Sequence, residues 1–260
     1  MRILITNDDG IRAEGLDVMT QIAHEIAGDA GEVWTVAPEL EQSGVAHAIS
    51  YINPMRIRQD GARRFAVEGM PADCVLAALS EVMDTAPDLI LSGVNRGNNA
   101  GQNTLYSGTV GAAIEGTLQG VKSIALSQYY GPLNKDLDDT FEAARMHGAD
   151  TIRKILDADV WGQAPYSVFY NVNFPAMPAA DCKGIALAPQ GFRENANFYA
   201  NAQTSPNGRE FLWIGAGSQQ EPTTPGTDVQ VALEGYIAVT PMHCDLTNHA
   251  ALEKLNGIFS

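Results

Sequence analysis

Arg2-Ile3-Leu4-Ile5-Thr6-Asn7-Asp8-Asp9-Gly10 is the stretch on which the reading of the fold turns. Arg2–Thr6 reads as a buried β-strand, and the apolar run gives way to an asparagine, two adjacent carboxylates and a glycine. In an extended chain neighbouring side chains point to opposite faces, so Asp8 and Asp9 cannot converge while the strand continues. A strand that ends at Thr6 and a turn at Gly10 put both carboxylates at the strand's carboxyl end, where open α/β sheets bind their ligands. Two hard oxygen donors on a short loop suit a divalent cation such as Mg²⁺ or Mn²⁺. The alternative is a solvated strand-to-helix turn in which Asp8 or Asp9 caps the following helix. These nine residues alone do not choose between the two.

Outward from that stretch, strand and helix patterns alternate. Leu16, Met19, Ile22, Ala23 and Ile26 recur at helical spacing, and Glu32–Ala37 is a second strand stopped by Pro38. Phe65–Glu68 is a short strand, after which Pro71 opens a helix whose apolar face is Val75, Leu76, Leu79 and Val82. Leu89–Ser92 is another buried strand, followed by a Gly- and Asn-rich loop to Ser107, a small-residue helix over 108–119 and a strand at Ile124–Ser127. A long amphipathic helix spans Phe141–Asp157, with Ala144, Ile152, Ile155 and Leu156 turned inward. Near-continuous apolar strands alternating with helices imply a mostly parallel sheet covered on both faces, a three-layer Rossmann-like α/β fold.

From Pro165 the character changes to strand-like segments at 168–174, 184–188, 210–214 and 235–240, with little helix until 248–255. The polar, turn-rich stretch 190–227 reads as a protruding hairpin or arm of a C-terminal β-rich extension. We expect a single domain over 1–260, with that arm and the segment 242–260 available for oligomer contacts.

Composition narrows the function. A net charge of −15 argues against long nucleic acid, which needs a basic footprint, but not against a small phosphorylated substrate beside a metal. No run approaches the ~18–20 apolar residues of a membrane span. Cys74, Cys182 and Cys244 are odd in number and widely spaced, so a reducing, cytoplasmic compartment is expected.

Three segments besides the acidic pair follow strands and carry suitable chemistry. In 37–44, Ser43 beside Gly44 offers a hydroxyl where backbone can approach a ligand closely. Ser92–Gly101 holds three glycines and three asparagines in ten residues; the Asn95 amide is a further hard oxygen donor and Arg96 can pair with phosphate. It matches neither the GxGxxG fingerprint nor a P-loop. In 106–113, Ser107 is a natural N-cap, and Gly108-Thr109 would present free backbone N–H groups at the positive end of a helix, a ready anion site. His47 lies four residues beyond Ser43, near enough to assist proton transfer, although such a residue often only packs locally. His243, Cys244 and His249 fit no tight zinc spacing, and no Gly-x-Ser-x-Gly elbow occurs.

Together these segments resemble the SurE family of survival proteins, metal-dependent 5′/3′-nucleotidases. The resemblance runs through NDDG at 7–10, AP…SG at 37–44, MPADC at 70–74, PDLILSGVNRGNNAG at 87–101, YSGTVGAAIEG at 106–116, NVNFP at 171–175 and TD…GYIAVTP at 227–241. It implies that Asp8, Asp9, Ser43 and Asn95 bind one divalent ion per subunit, and that the activity is hydrolysis of nucleoside monophosphates by a homodimer or homotetramer joined through the C-terminal arm, with short polyphosphate a further candidate substrate. On this reading Asp8 and Asp9 are the catalytic pair, while Asn95, Arg96, Ser107, Gly108 and Thr109 hold phosphate. Two rivals use the same residues: an aspartyl-phosphate mechanism with Asp8 as nucleophile, against which the adjacency of the pair counts, and a non-catalytic metal- or nucleotide-binding sensor or scaffold.

Overall fold

The computed structural model describes residues 1–163 and 165–259. β1 (Arg2–Thr6) leads through α1 (Glu14–Ala27) to β2 (Glu32–Pro38), then to β3 (Ile57–Gly61), β4 (Arg64–Val67) and α2 (Pro71–Ala77). β5 (Leu89–Arg96), α3 (Gly108–Leu118), β6 (Ser123–Gln128), α4 (Glu142–Ala158) and β7 (Phe169–Phe174) continue the alternation. β8 (Ile185–Leu187), β9 (Phe198–Thr204), β10 (Glu210–Ala216), α5 (Asp228–Leu233), β11 (Ile237–Met242) and α6 (His249–Phe259) complete it.

Nine strands form one sheet in the order β3-β4-β2-β1-β5-β6-β7-β11-β8, and β9 and β10 form a separate antiparallel hairpin. Around β1 every pairing is parallel: Ile3 registers with Val33 of β2 and with Leu89 of β5. The chain leaves β1 towards β2 on one side and later returns to lay β5 on the other, so β1 and β5 flank the topological switch point.

Alternation along the strands splits the core into two faces. Ile3, Ile5, Leu89, Leu91, Ile124 and Leu126 pack against Leu16, Met19 and Ile22 of α1 and Ile152 and Ile155 of α4. Leu4, Val36, Val67 and Ile90 face the other way, onto Cys74, Val75 and Ala78 around α2 and Ala112 of α3. Each such fully buried Leu or Ile contributes about 1.5–3 kcal/mol relative to an exposed one. The three-layer α/β fold with a β-rich extension is therefore as expected. Among the described residues no helix is long and apolar enough to cross a membrane.

Several local expectations change. β5 does not stop at Ser92; it runs on to Arg96 through a register shift against β6 between Ser92 and Asn95, which the small, positive-φ Gly93 permits. Leu76 is only half-buried, because the helix widens into a π-helical turn at Ala78–Val82 and the inward positions become Cys74, Val75 and Ala78. The exposed strand β3 and the short helix α5 gave no apolar periodicity to read. The protruding part of the arm is narrower than 190–227: β9 and β10 are exposed along their length, whereas Arg193 at its base is fully buried.

Candidate functional site

The turn after β1 is closed by Asn7. Its Nδ2 donates to the Gly10 carbonyl at 2.9 Å and its Oδ1 accepts the Gly10 N–H at 3.2 Å, with Gly10 at φ +100°. Asn7 does the turn-making, which leaves both aspartates for other work. Neither caps α1, whose N-cap is Ala13 with no side-chain hydrogen bond.

Asp8 is buried at the start of α3. The Thr109 N–H donates to its Oδ2 at 3.0 Å and the Thr109 hydroxyl donates to its Oδ1. Gly108 is obligatory for that approach, since a Cβ there would lie 2.9 Å from the Asp8 Cβ and 3.0 Å from Pro71. The anion site expected at Ser107-Gly108-Thr109 thus already serves a carboxylate: Thr109 spends both its donors on Asp8. Ser107 does cap the helix, its Oγ accepting the Val110 N–H at 3.0 Å. Burial, and then the neighbouring Asp9 charge, push the Asp8 carboxyl up to about 7, with the Thr109 bonds pulling the other way.

Asp9 is half-buried and accepts the Arg96 N–H at 3.1 Å on Oδ2. Burial raises its pKa, the Arg96 bond lowers it, and Glu41 raises it again. Asn95, beside Arg96 at the end of β5, donates its amide N–H to the Gly97 carbonyl at 2.9 Å, so its side-chain oxygen is left for a ligand. The Arg96 guanidinium lies 5.0 Å over the Tyr130 ring at the rim.

The third contributor is the loop after β2. Its Gln42 N–H donates to the Asp8 carbonyl at 2.7 Å, and the Ser43 hydroxyl donates to Glu41 at 2.7 Å. Asp9, Glu41, Ser43 and Arg96 line one pocket of about 330 Å³. Its floor forms where α1 meets β5, a junction so close that a Cβ on Gly15 would lie 1.9 Å from the Val94 carbonyl oxygen. On the other side of Asp9 a pocket of about 370 Å³ adds Arg12 and Arg58. His47 does not turn towards the acidic pair in its recorded bond; it meets Glu115 of α3, Nε2 to Oε2 at 2.7 Å.

Three residues escaped the sequence reading. Glu41 stands in the quoted loop without a pattern to single it out. Arg193 is fully buried and donates to Asn98 (2.8 Å), Tyr129 (2.6 Å) and the Ala100 carbonyl (3.0 Å), bracing the Asn-rich loop from beneath. Asp228 takes the Gly101 N–H at 2.9 Å and the Gly191 N–H at 2.7 Å. Asn99 links the same loop to Ser127 and Asn173 at 2.8 Å each. Only the TD step at 227–228 hinted at any of this.

Among the described residues no three His, Cys, Asp or Glu side chains gather as a metal site by themselves. A cation here would have two carboxylates in reach, with the Ser43 hydroxyl and the Asn95 amide as the further donors the residues offer. All of these are hard oxygen donors, and the buried Asp8 carboxylate is met by the Thr109 N–H and hydroxyl and by no side-chain cation among its hydrogen bonds. The donor set fits a hard divalent ion.

Comparison with known proteins follows the same lines. The family model described as Survival protein SurE matches residues 3–197. The chain is 58% identical over 259 residues to a protein of Cereibacter sphaeroides named 5′-nucleotidase SurE, covering 99% of each. It is 61% identical to the Jannaschia sp. protein of the same name, covering 98% of each. The solved SurE protein from Aquifex aeolicus superimposes with a TM-score of 0.80 at 32% identity, covering the whole of both chains. With its acidic pair, Asn-rich strand end and capped small-residue helix in one crevice, the chain belongs to the SurE family.

Proposed function

We propose that the protein is a divalent-metal-dependent phosphomonoesterase that hydrolyses nucleoside 5′-monophosphates, and 3′-monophosphates, to nucleoside and inorganic phosphate. One observation carries this reading: at the switch point Asp9 after β1, Arg96 at the end of β5 and Ser43 of the loop after β2 line one pocket, with Asp8 beside Asp9 bonded to the start of α3 and Asn95 beside Arg96. The nucleotidase names of relatives that match across nearly their whole length support it.

Asp8, Asp9, Ser43 and Asn95 would hold one ion, Mg²⁺ or Mn²⁺. When bound, the ion neutralises phosphate charge and makes a coordinated water more acidic. Thr109 fixes the Asp8 carboxylate through both oxygens, which suits a ligand held in one orientation and ill suits a covalent nucleophile. Asp9 has one oxygen bonded to Arg96 N–H and one to spare, and it takes the proton as water adds to phosphorus. The bond from phosphorus to the ester oxygen breaks, and that oxygen leaves as the nucleoside hydroxyl with the proton that Asp9 took from the water. Arg96, flanked by Tyr130, holds the non-bridging oxygens, with Ser107 and Gly108 at the helix start.

Around this site we read one domain over 1–260. The hairpin and residues 242–260 join copies into a homodimer or homotetramer, and all three cysteines are free, as suits the cytoplasm. Incubating the purified protein with Mn²⁺ or Mg²⁺ and a panel of nucleoside monophosphates, with short polyphosphate alongside, should release phosphate from the nucleotides. No release from any of them under either metal overturns the assignment.

A further inference from the structure

The His47–Glu115 contact lies outside the acidic pair, yet it belongs to the element that holds Asp8. α3 grips Asp8 in its first turn through Thr109. Two residues on, Gly111 meets the backbone of the Ser43 loop so closely that a Cβ would sit 2.3 Å from the Ala46 carbonyl oxygen and 3.1 Å from the His47 Cα. Backbone atoms cannot swing away from such a clash, so the seat requires glycine. A further turn along the same face, Glu115 meets His47 at 2.7 Å, and the other Glu115 oxygen is held by Gln119 at 2.7 Å. Glu115 is buried, and the His47 bond holds its carboxyl below the usual carboxylate range. The Ala46 N–H donates to the Tyr106 carbonyl at 3.0 Å, just ahead of the helix, with Ala46 itself at φ +52°.

The other end of the loop is fixed as well: the Gln42 N–H is on the Asp8 carbonyl at 2.7 Å and the Glu39 N–H on the Val67 carbonyl at 2.8 Å. Ser43, itself exposed, therefore sits between an anchor at 42 on β1's turn and an anchor at 46–47 on α3, with the positive-φ Gly44 between them. We propose that α3 is a template that sets Ser43 against Asp8, and that His47 and Glu115 are positioning residues closing the loop for metal binding. The proposal rests on the metal site described above, but its failure is separable from failure of that reading.

The test is Mn²⁺ binding to the full chain by calorimetry or electron paramagnetic resonance, without substrate. If the wild-type chain binds no divalent cation, the metal site itself falls. If it binds one, His47→Ala should weaken Mn²⁺ about tenfold or more, the scale on which partners behind the ligands act. His47→Gln keeps an N–H at similar reach and should restore most of the affinity. Ser43→Ala should also weaken binding, and adding His47→Ala to it should cost nothing further, because His47 acts only through Ser43's placement. Unchanged affinity in His47→Ala, no rescue by glutamine, or fully additive losses would each overturn the proposal. Should His47→Ala fail to fold by circular dichroism, Glu115→Ala breaks the same contact from the helix side, with weakened Mn²⁺ expected and unaltered Mn²⁺ counting against the proposal.

Discussion

The switch-point crevice and the hairpin-and-tail periphery invert the usual distribution of polarity in opposite ways. In the crevice, Asp8, Asn98, Asn99, Arg193 and Asp228 are buried, and each is held by hydrogen bonds to backbone or side-chain partners, although the Arg193 Nε has none. At the periphery, Trp213 is 63% exposed, Leu212 and Ile214 are 71% exposed, and α6 buries none of its residues while carrying Leu252, Leu255, Ile258 and Phe259. A buried charge without a counter-charge and an apolar surface without cover are both costly in water. On the reading proposed above, each region would be completed by something added: a cation and a phosphate for the first, further copies of the chain for the second.

The comparison predicts that the two regions fail independently. The largest effect should come from Asp8→Asn, which removes a ligand and lowers metal-dependent phosphate release from AMP by about 10²–10³-fold or more. The same change should raise the melting temperature of the metal-free protein, since it deletes a buried charge that opposes folding while an amide can still meet Thr109. A loss of both activity and metal-free stability would show that Asp8 is structural first. Removal of the metal with a chelator should abolish activity and lower the melting temperature. Saturation at a hundred times Kd adds about 2.7 kcal/mol, so readdition of Mn²⁺ should restore both.

Metal-free stability should also depend on pH. The Asp8 carboxyl stands at about 7 in the fold against 3.8 in the unfolded chain. A raised acid binds its proton more tightly when folded, so stability is highest below 3.8, declines as pH rises to about 7, and levels off above. Denaturant titrations of wild type and Asp8→Asn across that window check this, the variant giving the flatter curve. A change at the periphery, Trp213→Glu, should lower the mass in light scattering while Mn²⁺ affinity of the separated chains stays as it was. The smallest effect should be Arg96→Gln, expected to raise KM for AMP several-fold, about 1 kcal/mol, with the Asp9 contact preserved because it uses the backbone N–H.

Much of this was legible in the chain. The apolar strands and the helix spacing of Leu16, Met19 and Ile22 gave the layers, because burial on both faces leaves continuous apolar runs. Four strand-end motifs gave the crevice, since a parallel sheet sends every such loop to one edge. The extent of β5 was not legible, because Gly93 and Asn95 are poor strand formers and only pairing with β6 holds them extended. Arg193 and Asp228 were hidden for a different reason: their partners lie 93 and 127 residues away along the chain, and no local pattern encodes such a contact. Nor does SGT reveal that both Thr109 donors meet an aspartate about a hundred residues earlier.

The placement of β1 has a practical consequence. The Arg2 N–H is held by Asp88 and the Met1 carbonyl by Glu32, at the opposite end of a five-residue strand from Asp8, roughly 17 Å away. A fluorophore, affinity handle or surface tether joined ahead of Met1 therefore emerges on the blind side of the sheet. It leaves the crevice open, which makes this end of β1 an attachment point for immobilised or single-molecule work.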